Sequence, residues 1–210
     1  MGLQRILMII GLAAMAVVAG LWLQLRMSAP AVPPETNATL LRTARPVGDV
    51  RLQDTLGNEL SLQQLKGRWS LVFFGFTHCP DVCPTTLAIL SQVARRLENL
   101  PQAQQPQLVF ITVDPERDVP EVMKGYVEHF DKNMIGLTGE LSQVEALAAQ
   151  LGVAFQKVPL DQGGYSMDHS AAIFMLNPGA ELNAIISAPH SVEGIAGDYR
   201  KIVEFMAEQS

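Results

Sequence analysis

Ser70-Leu71-Val72-Phe73-Phe74-Gly75-Phe76-Thr77-His78-Cys79-Pro80-Asp81-Val82-Cys83-Pro84 decides how this chain is read. The run up to Phe76 is uninterrupted by charge and rich in aromatic and β-branched residues, the pattern of a strand buried on both faces. After Pro84, Leu87, Leu90, Ala94 and Leu97 recur at three- and four-residue spacing, the pattern of an amphipathic helix with proline in its first turn. The only two cysteines of the chain, Cys79 and Cys83, lie where that strand hands over to that helix. A thiol pair so placed serves as a redox couple or as a clamp for a soft metal. A purely structural bridge between them would close a loop worth only about 2 kcal/mol in the chain-entropy model, a weak staple for a chain this long.

Working outward, strands and helices alternate. A second buried strand is expected over 108–113. Asp118-Val119-Pro120-Glu121 reads as a helix start with Asp118 as N-cap, followed by Val122, Met123, Tyr126, Val127 and Phe130. A short strand over 135–137 and a helix with Leu141, Val144, Leu147 and Leu151, stopped by Gly152, come next. Residues 153–158 precede a Gly163-Gly164 turn, residues 171–176 form a strand, and Asn177-Pro178-Gly179 turns into a strand over 181–187. A last helix carries Ile195, Tyr199, Ile202, Val203 and Met206 on one face. This order predicts an α/β, thioredoxin-like fold, with the helix and strand between Pro120 and Leu137 inserted into it.

The chain ends impose further expectations. Residues 6–23 are uncharged and apolar, about 27 Å long as a helix, close to the thickness of a bilayer core. We therefore expect one N-terminal transmembrane helix serving as a membrane anchor over 1–27, with a cleaved signal peptide ending near Ala31 as the alternative. Residues 28–39, rich in Pro, Ala and small polar types, read as a flexible tether, and 40–210 as one domain. The chain holds 15 Lys and Arg against 21 Asp and Glu. Arg5 and Arg26 are the only charges before residue 28, so the remainder is more acidic still, which argues against a nucleic-acid partner.

The spacing of the cysteines permits specific chemistry. Side chains four apart on a helical turn share a face about 5 to 6 Å apart, close enough for two thiolates to meet one ion or to form a disulfide. The helix N-terminus favours thiolate for either purpose. His169, in Asp168-His169-Ser170 just before the strand at 171, is placed to aim an imidazole at the sulfur pair. Two thiolates and one imidazole suit Cu(I). Among the other histidines, His78 adjoins Cys79 and would tune the thiols, His129 falls on the polar side of its helix, and His190 reads as plain surface. Met167 offers a soft thioether near the site or a core side chain. The carboxylates of Asp114-Pro115-Glu116-Arg117-Asp118 are either capping groups or part of a site at the strand ends.

Three motifs occur in one order: Gly75-Phe76-Thr77-His78-Cys79-Pro80-Asp81-Val82-Cys83-Pro84, then Val113-Asp114-Pro115-Glu116-Arg117-Asp118, then Asp168-His169-Ser170. In this the chain resembles the Sco/SenC family of copper-binding proteins involved in cytochrome c oxidase assembly. The resemblance implies a metallochaperone rather than an enzyme, binding a copper ion, Cu(I), Cu(II) or both, through Cys79, Cys83 and His169. It implies cytochrome c oxidase subunit II as the partner whose dinuclear copper centre is served, a copper-donating periplasmic chaperone upstream, and residence on a bacterial inner membrane with the domain in the periplasm. A thiol-disulfide oxidoreductase, cycling a Cys79–Cys83 disulfide to reduce the partner's cysteines, is the competing expectation. A peroxidase of the same fold superfamily fits less well, because paired cysteines serve chelation better than a lone peroxidatic thiolate. His169 separates the first two readings, since a reductase has no need of it.

Overall fold

In the computed structural model, which describes residues 2–27 and 33–209, the chain divides into a short N-terminal unit up to Pro33 and a large one from Pro34 to Glu208. The first unit is helix α1 (Leu3–Met27), whose described apolar side chains are exposed. The expected transmembrane helix is overturned here: among the described residues no helix is long and apolar enough to cross a membrane. Of the expected tether, residues 28–32 lie outside the described residues.

The large unit is built on one eight-stranded mixed sheet. Its centre is β4 (Ser70–Gly75), buried at every position, as an uninterrupted apolar run demands of a strand covered on both faces. Parallel to it lies β5 (Gln107–Thr112), in register from Ser70 opposite Gln107 to Gly75 opposite Thr112. On its other side runs β9 (Ile173–Leu176), antiparallel, followed outward by β10 (Glu181–Ile186) and β1 (Thr39–Pro46). Outside β5 lie β6 (Ile135–Thr138), then β2 (Leu52–Asp54) and β3 (Glu59–Leu60). The order β10-β9-β4-β5 is the thioredoxin-like core, with α2 (Val82–Arg96) between β4 and β5 and α5 (Val192–Ala207) closing the chain. Helix α3 (Pro120–Phe130) and β6 add one layer outside it, and α4 (Leu141–Leu151) follows.

Two local features shape the end of the sheet where the cysteines lie, the second a departure from expectation. Helix α2 begins at Val82, before Pro84, so Cys83 sits inside its first turn with its side chain fully buried. Helix α3 is preceded by Val119, not capped by Asp118, whose carboxylate is committed elsewhere. The chain between α4 and β9 forms a separate ribbon, β7 (Phe155–Pro159) paired antiparallel with β8 (Tyr165–His169), which shares no ladder with the main sheet. Gly163 and Gly164 turn it, both with positive φ that other residues rarely adopt.

Candidate metal centre

Where β4 ends, Gly75 lets the two halves of the fold approach. A Cβ added there would stand 2.8 Å from Cys83 Sγ and 2.8 Å from Phe110 Cε2, so only glycine leaves room for the sulfur against the sheet. The chain then turns through Thr77 and His78, with the Cys79 amide donating to the Phe76 carbonyl at 3.2 Å. At the first turn of α2 the Cys83 amide points at Cys79 Sγ, 3.4 Å away. Backbone amides at a helix start favour a thiolate there. Both cysteines are free thiols, Cys79 partly exposed and Cys83 buried.

The ribbon supplies the third group. His169, last residue of β8, places Nε2 3.3 Å from Cys83 Sγ. Its Nδ1 lies 3.0 Å from the Ser170 carbonyl, an acceptor that fixes the proton on Nδ1 and leaves the Nε2 lone pair toward the sulfurs. The rings of Phe73 and Phe76 meet the imidazole edge-on at 6.0 and 5.9 Å. Cys79, Cys83 and His169 each bring one ligand atom to a cluster in which all three lie within 4.8 Å of one another. Among the described residues no other group of three His, Cys, Asp or Glu side chains does so.

Burial sets the electrostatics. It pushes the Cys83 thiol far above its ordinary range, and the neighbouring Cys79 and Asp118 push the same way against the Phe76 amide. Burial also lowers His169 below the ordinary imidazole value, opposed by the Ser170 carbonyl and by Asp168. Both shifts favour the uncharged forms, a neutral imidazole beside a protonated thiol. A soft cation can replace that proton, whereas hard ions prefer oxygen donors.

The Asp114–Asp118 segment proves to be the frame of the site. Asp118, fully buried, accepts from the Thr77 amide at 2.9 Å and hydroxyl at 2.6 Å, and from the Thr112 hydroxyl at 2.6 Å. It thus ties the cysteine loop to the end of β5. Arg117 pairs with Asp114, donates to the Tyr165 carbonyl at 3.0 Å, and lies 3.8 Å over the Tyr165 ring and 5.9 Å from that of Phe76. Tyr165 in turn donates to Asp114 at 2.9 Å. The arginine clamps the start of β8 to the loop that follows β5. Ser170 closes the other end, its amide donating to the Ala154 carbonyl at 2.9 Å.

The remaining expected residues fall outside the cluster. His78 is half-exposed, with Nδ1 3.0 Å from the Thr77 hydroxyl and 3.8 Å from Asp118. His129 is exposed, and Met167 is buried in the core. His190 is not plain surface: its Nε2–H donates to the Ala171 carbonyl at 2.7 Å, and its Nδ1 is buried, so it braces the segment after His169. Gly75, Arg117, Tyr165 and His190 had no site role on sequence grounds. For Arg117 alone a signal existed, in its place within a charged run at a strand end.

A family model described as SCO1/SenC matches residues 39–204. The chain is 39% identical to human "Protein SCO2 homolog, mitochondrial" over 202 residues, 95% of this chain and 76% of that protein. Bradyrhizobium japonicum ScoI, solved with copper bound, superposes with a TM-score of 0.66 at 36% identity, over 74% of this chain and 98% of that one. Arabidopsis thaliana ScoI with copper bound gives a TM-score of 0.70 at 28% identity, over 77% and 98%.

Proposed function

This chain belongs to the SCO1/SenC family, and on that basis we propose that it is a copper metallochaperone whose cargo ion is held by Cys79, Cys83 and His169 and passed on in cytochrome c oxidase assembly, to the dinuclear copper centre of subunit II. The observation that carries the reading is the convergence of two sulfurs and one imidazole nitrogen within 4.8 Å. Solved relatives bear copper, which supports the same choice of ion. In a bacterium the exchange would take place in the periplasm, with a copper-donating protein upstream.

The unequal exposure of the three donors suggests how the cargo leaves. Cys79 is the more accessible sulfur and Cys83 the enclosed one. An incoming thiolate of the recipient reaches copper from the Cys79 side, and the ion passes by exchange of one ligand at a time while Cys83 still holds it. Aromatic walls around His169 keep water from competing for the ion. X-ray absorption on the Cu(I)-loaded, reduced chain tests the assignment: two sulfurs and one nitrogen are expected, and a shell without sulfur overturns it.

One observation favours a second activity. An exposed thiol at a helix start with a buried thiol four residues on is the arrangement of an attacking and a resolving cysteine. Cys79 thiolate would attack a partner disulfide, releasing one partner thiol, and Cys83 would then displace the other as the Cys79–Cys83 bridge forms. Two electrons pass to the partner, whose cysteines become fit to receive copper.

A further inference from the structure

The ribbon that carries His169 has no rung in common with the main sheet, so side chains set its place on the domain. Among the described residues, every hydrogen bond from residues 156–166 to the domain outside the ribbon ends on Asp114, Glu116 or Arg117. Tyr165 is the hub of these contacts. Its hydroxyl donates to Asp114 Oδ1 at 2.9 Å and lies 3.4 Å from Glu116 Oε2. Arg117 Cζ and Lys157 Nζ lie over its ring, 3.8 and 4.1 Å from the centroid. Lys157, on β7, meets the same Glu116 oxygen at 2.8 Å, so both strands of the ribbon are tied to the loop after β5 through one cluster. A cation over an aromatic face and a hydrogen bond to a carboxylate are both directional. Together they fix where this end of the ribbon lies and how the ribbon is rolled about its length.

Tyr165 and His169 are the two ends of β8, four residues and about 13 Å apart in an extended strand, too far for the tyrosine to touch an ion held at the sulfurs. Side chains alternate along a strand, so Tyr165, Met167 and His169 share a face, and the burial of Met167 shows that this face is turned inward. A roll of the ribbon therefore turns Tyr165 and His169 together. The cross-strand pairs from Phe155–His169 to Pro159–Tyr165 carry that roll from one end to the other. Resting on the reading of this chain as a copper carrier, the geometry points to Tyr165 as a positioning residue for the imidazole. It holds the roll at which His169 Nε2 meets the sulfurs, and without it the ion keeps Cys79 and Cys83 but loses its nitrogen. The sulfurs stand on the junction of β4 and α2, outside the ribbon, so the effect falls on one ligand of three.

The test is Tyr165→Leu in the full, reduced chain, which removes the ring and the hydroxyl together. Copper is supplied as Cu(I) alone, and X-ray absorption, retention against a competing chelator and thermal unfolding are measured side by side. We expect the two sulfurs to stay, the nitrogen to leave the copper shell, and retention to fall about tenfold, the usual effect of removing a group that orients a ligand. Added imidazole should restore the nitrogen and the retention, a rescue that a change in stability alone does not produce. Tyr165→Phe keeps the ring and severs both carboxylates, so it should lie between wild type and Tyr165→Leu. It also decides the matter if the leucine variant does not fold, since wild-type retention there overturns the inference. A Tyr165→Leu chain with a lower unfolding temperature but an unchanged copper shell and retention would show that the tyrosine serves stability alone, and would overturn it too. A wild-type chain whose copper shell contains no sulfur would overturn the copper reading itself, and this inference with it.

Discussion

The buried carboxylate of Asp118 holds the backbone amide of Thr77 at 2.9 Å across 41 residues of chain. The cysteine loop is therefore fastened not by its own sequence but by a charge at the end of the neighbouring strand. Charge-assisted bonds of this kind are stronger than neutral ones, and removing the carboxylate would leave the Thr77 amide without its acceptor.

Asp118→Ala should lower stability by about 3 kcal/mol, since it strips Thr77 and Thr112 of their acceptor together. Asp118→Asn should cost roughly half as much, because one oxygen remains for the Thr77 amide while the new NH₂ can face the Thr77 hydroxyl. Urea unfolding of the two variants checks the order, and equal losses would contradict it.

His169→Ala should weaken Cu(I) retention by at least about tenfold against a competing chelator, the removal of one of three ligands. Thiol-disulfide exchange, which depends on thiolate character and access, should continue at nearly the wild-type rate. Parallel loss of both properties would show that the histidine serves the sulfurs rather than the metal.

Cu(I) affinity should rise with pH. Burial holds the Cys83 proton well above neutrality, so binding must expel it and the dissociation constant should fall about tenfold per pH unit from pH 6 to 8 on its account. His169 adds a further dependence only in acid, because burial keeps its imidazole neutral to below the ordinary value. Chelator competition at several pH values measures the slope, and Cys83→Ser should flatten it.

Arg117→Leu should release β8 from the loop after β5. A partly buried arginine over a tyrosine ring contributes about 1 kcal/mol, and the bond to the Tyr165 carbonyl is lost as well. The expected signature is faster amide exchange confined to the ribbon together with weaker copper binding. Unchanged exchange at residues 165–169 would show that the ribbon is held by other means.

Gly75→Ala should destabilise the protein by about 1 to 3 kcal/mol, the usual result of overpacking. The added methyl would press on Cys83 Sγ and the Phe110 ring. Calorimetric stability and copper affinity should fall together, because the same displacement moves a ligand.

The central strands and the helices could be read from the chain because their signals are local: continuous apolar runs at 70–76 and 108–113, and three-to-four spacing after Pro84. The cysteine spacing and the place of His169 before a strand were legible for the same reason. What escaped was contact at long range. Asp118 followed by Glu121 looks like a capping box, and nothing nearby discloses that its partners are Thr77 and Thr112. His190 looks like surface until the Ala171 carbonyl is brought beside it by folding. The apolar stretch at 6–23 suggested a membrane span from composition, an expectation the described part of α1 does not meet.

The three donors stand on two separately laced pieces of backbone. The sulfurs ride on the junction of β4 and α2, whereas the imidazole rides on a ribbon whose ladder is closed within itself. A change between three-coordinate and two-coordinate copper thus needs no rung of the main sheet to break. The work of letting go falls on side-chain contacts, chiefly those of Arg117, Phe73 and Phe76. Grip on the ion and rigidity of the domain can accordingly be altered one without the other.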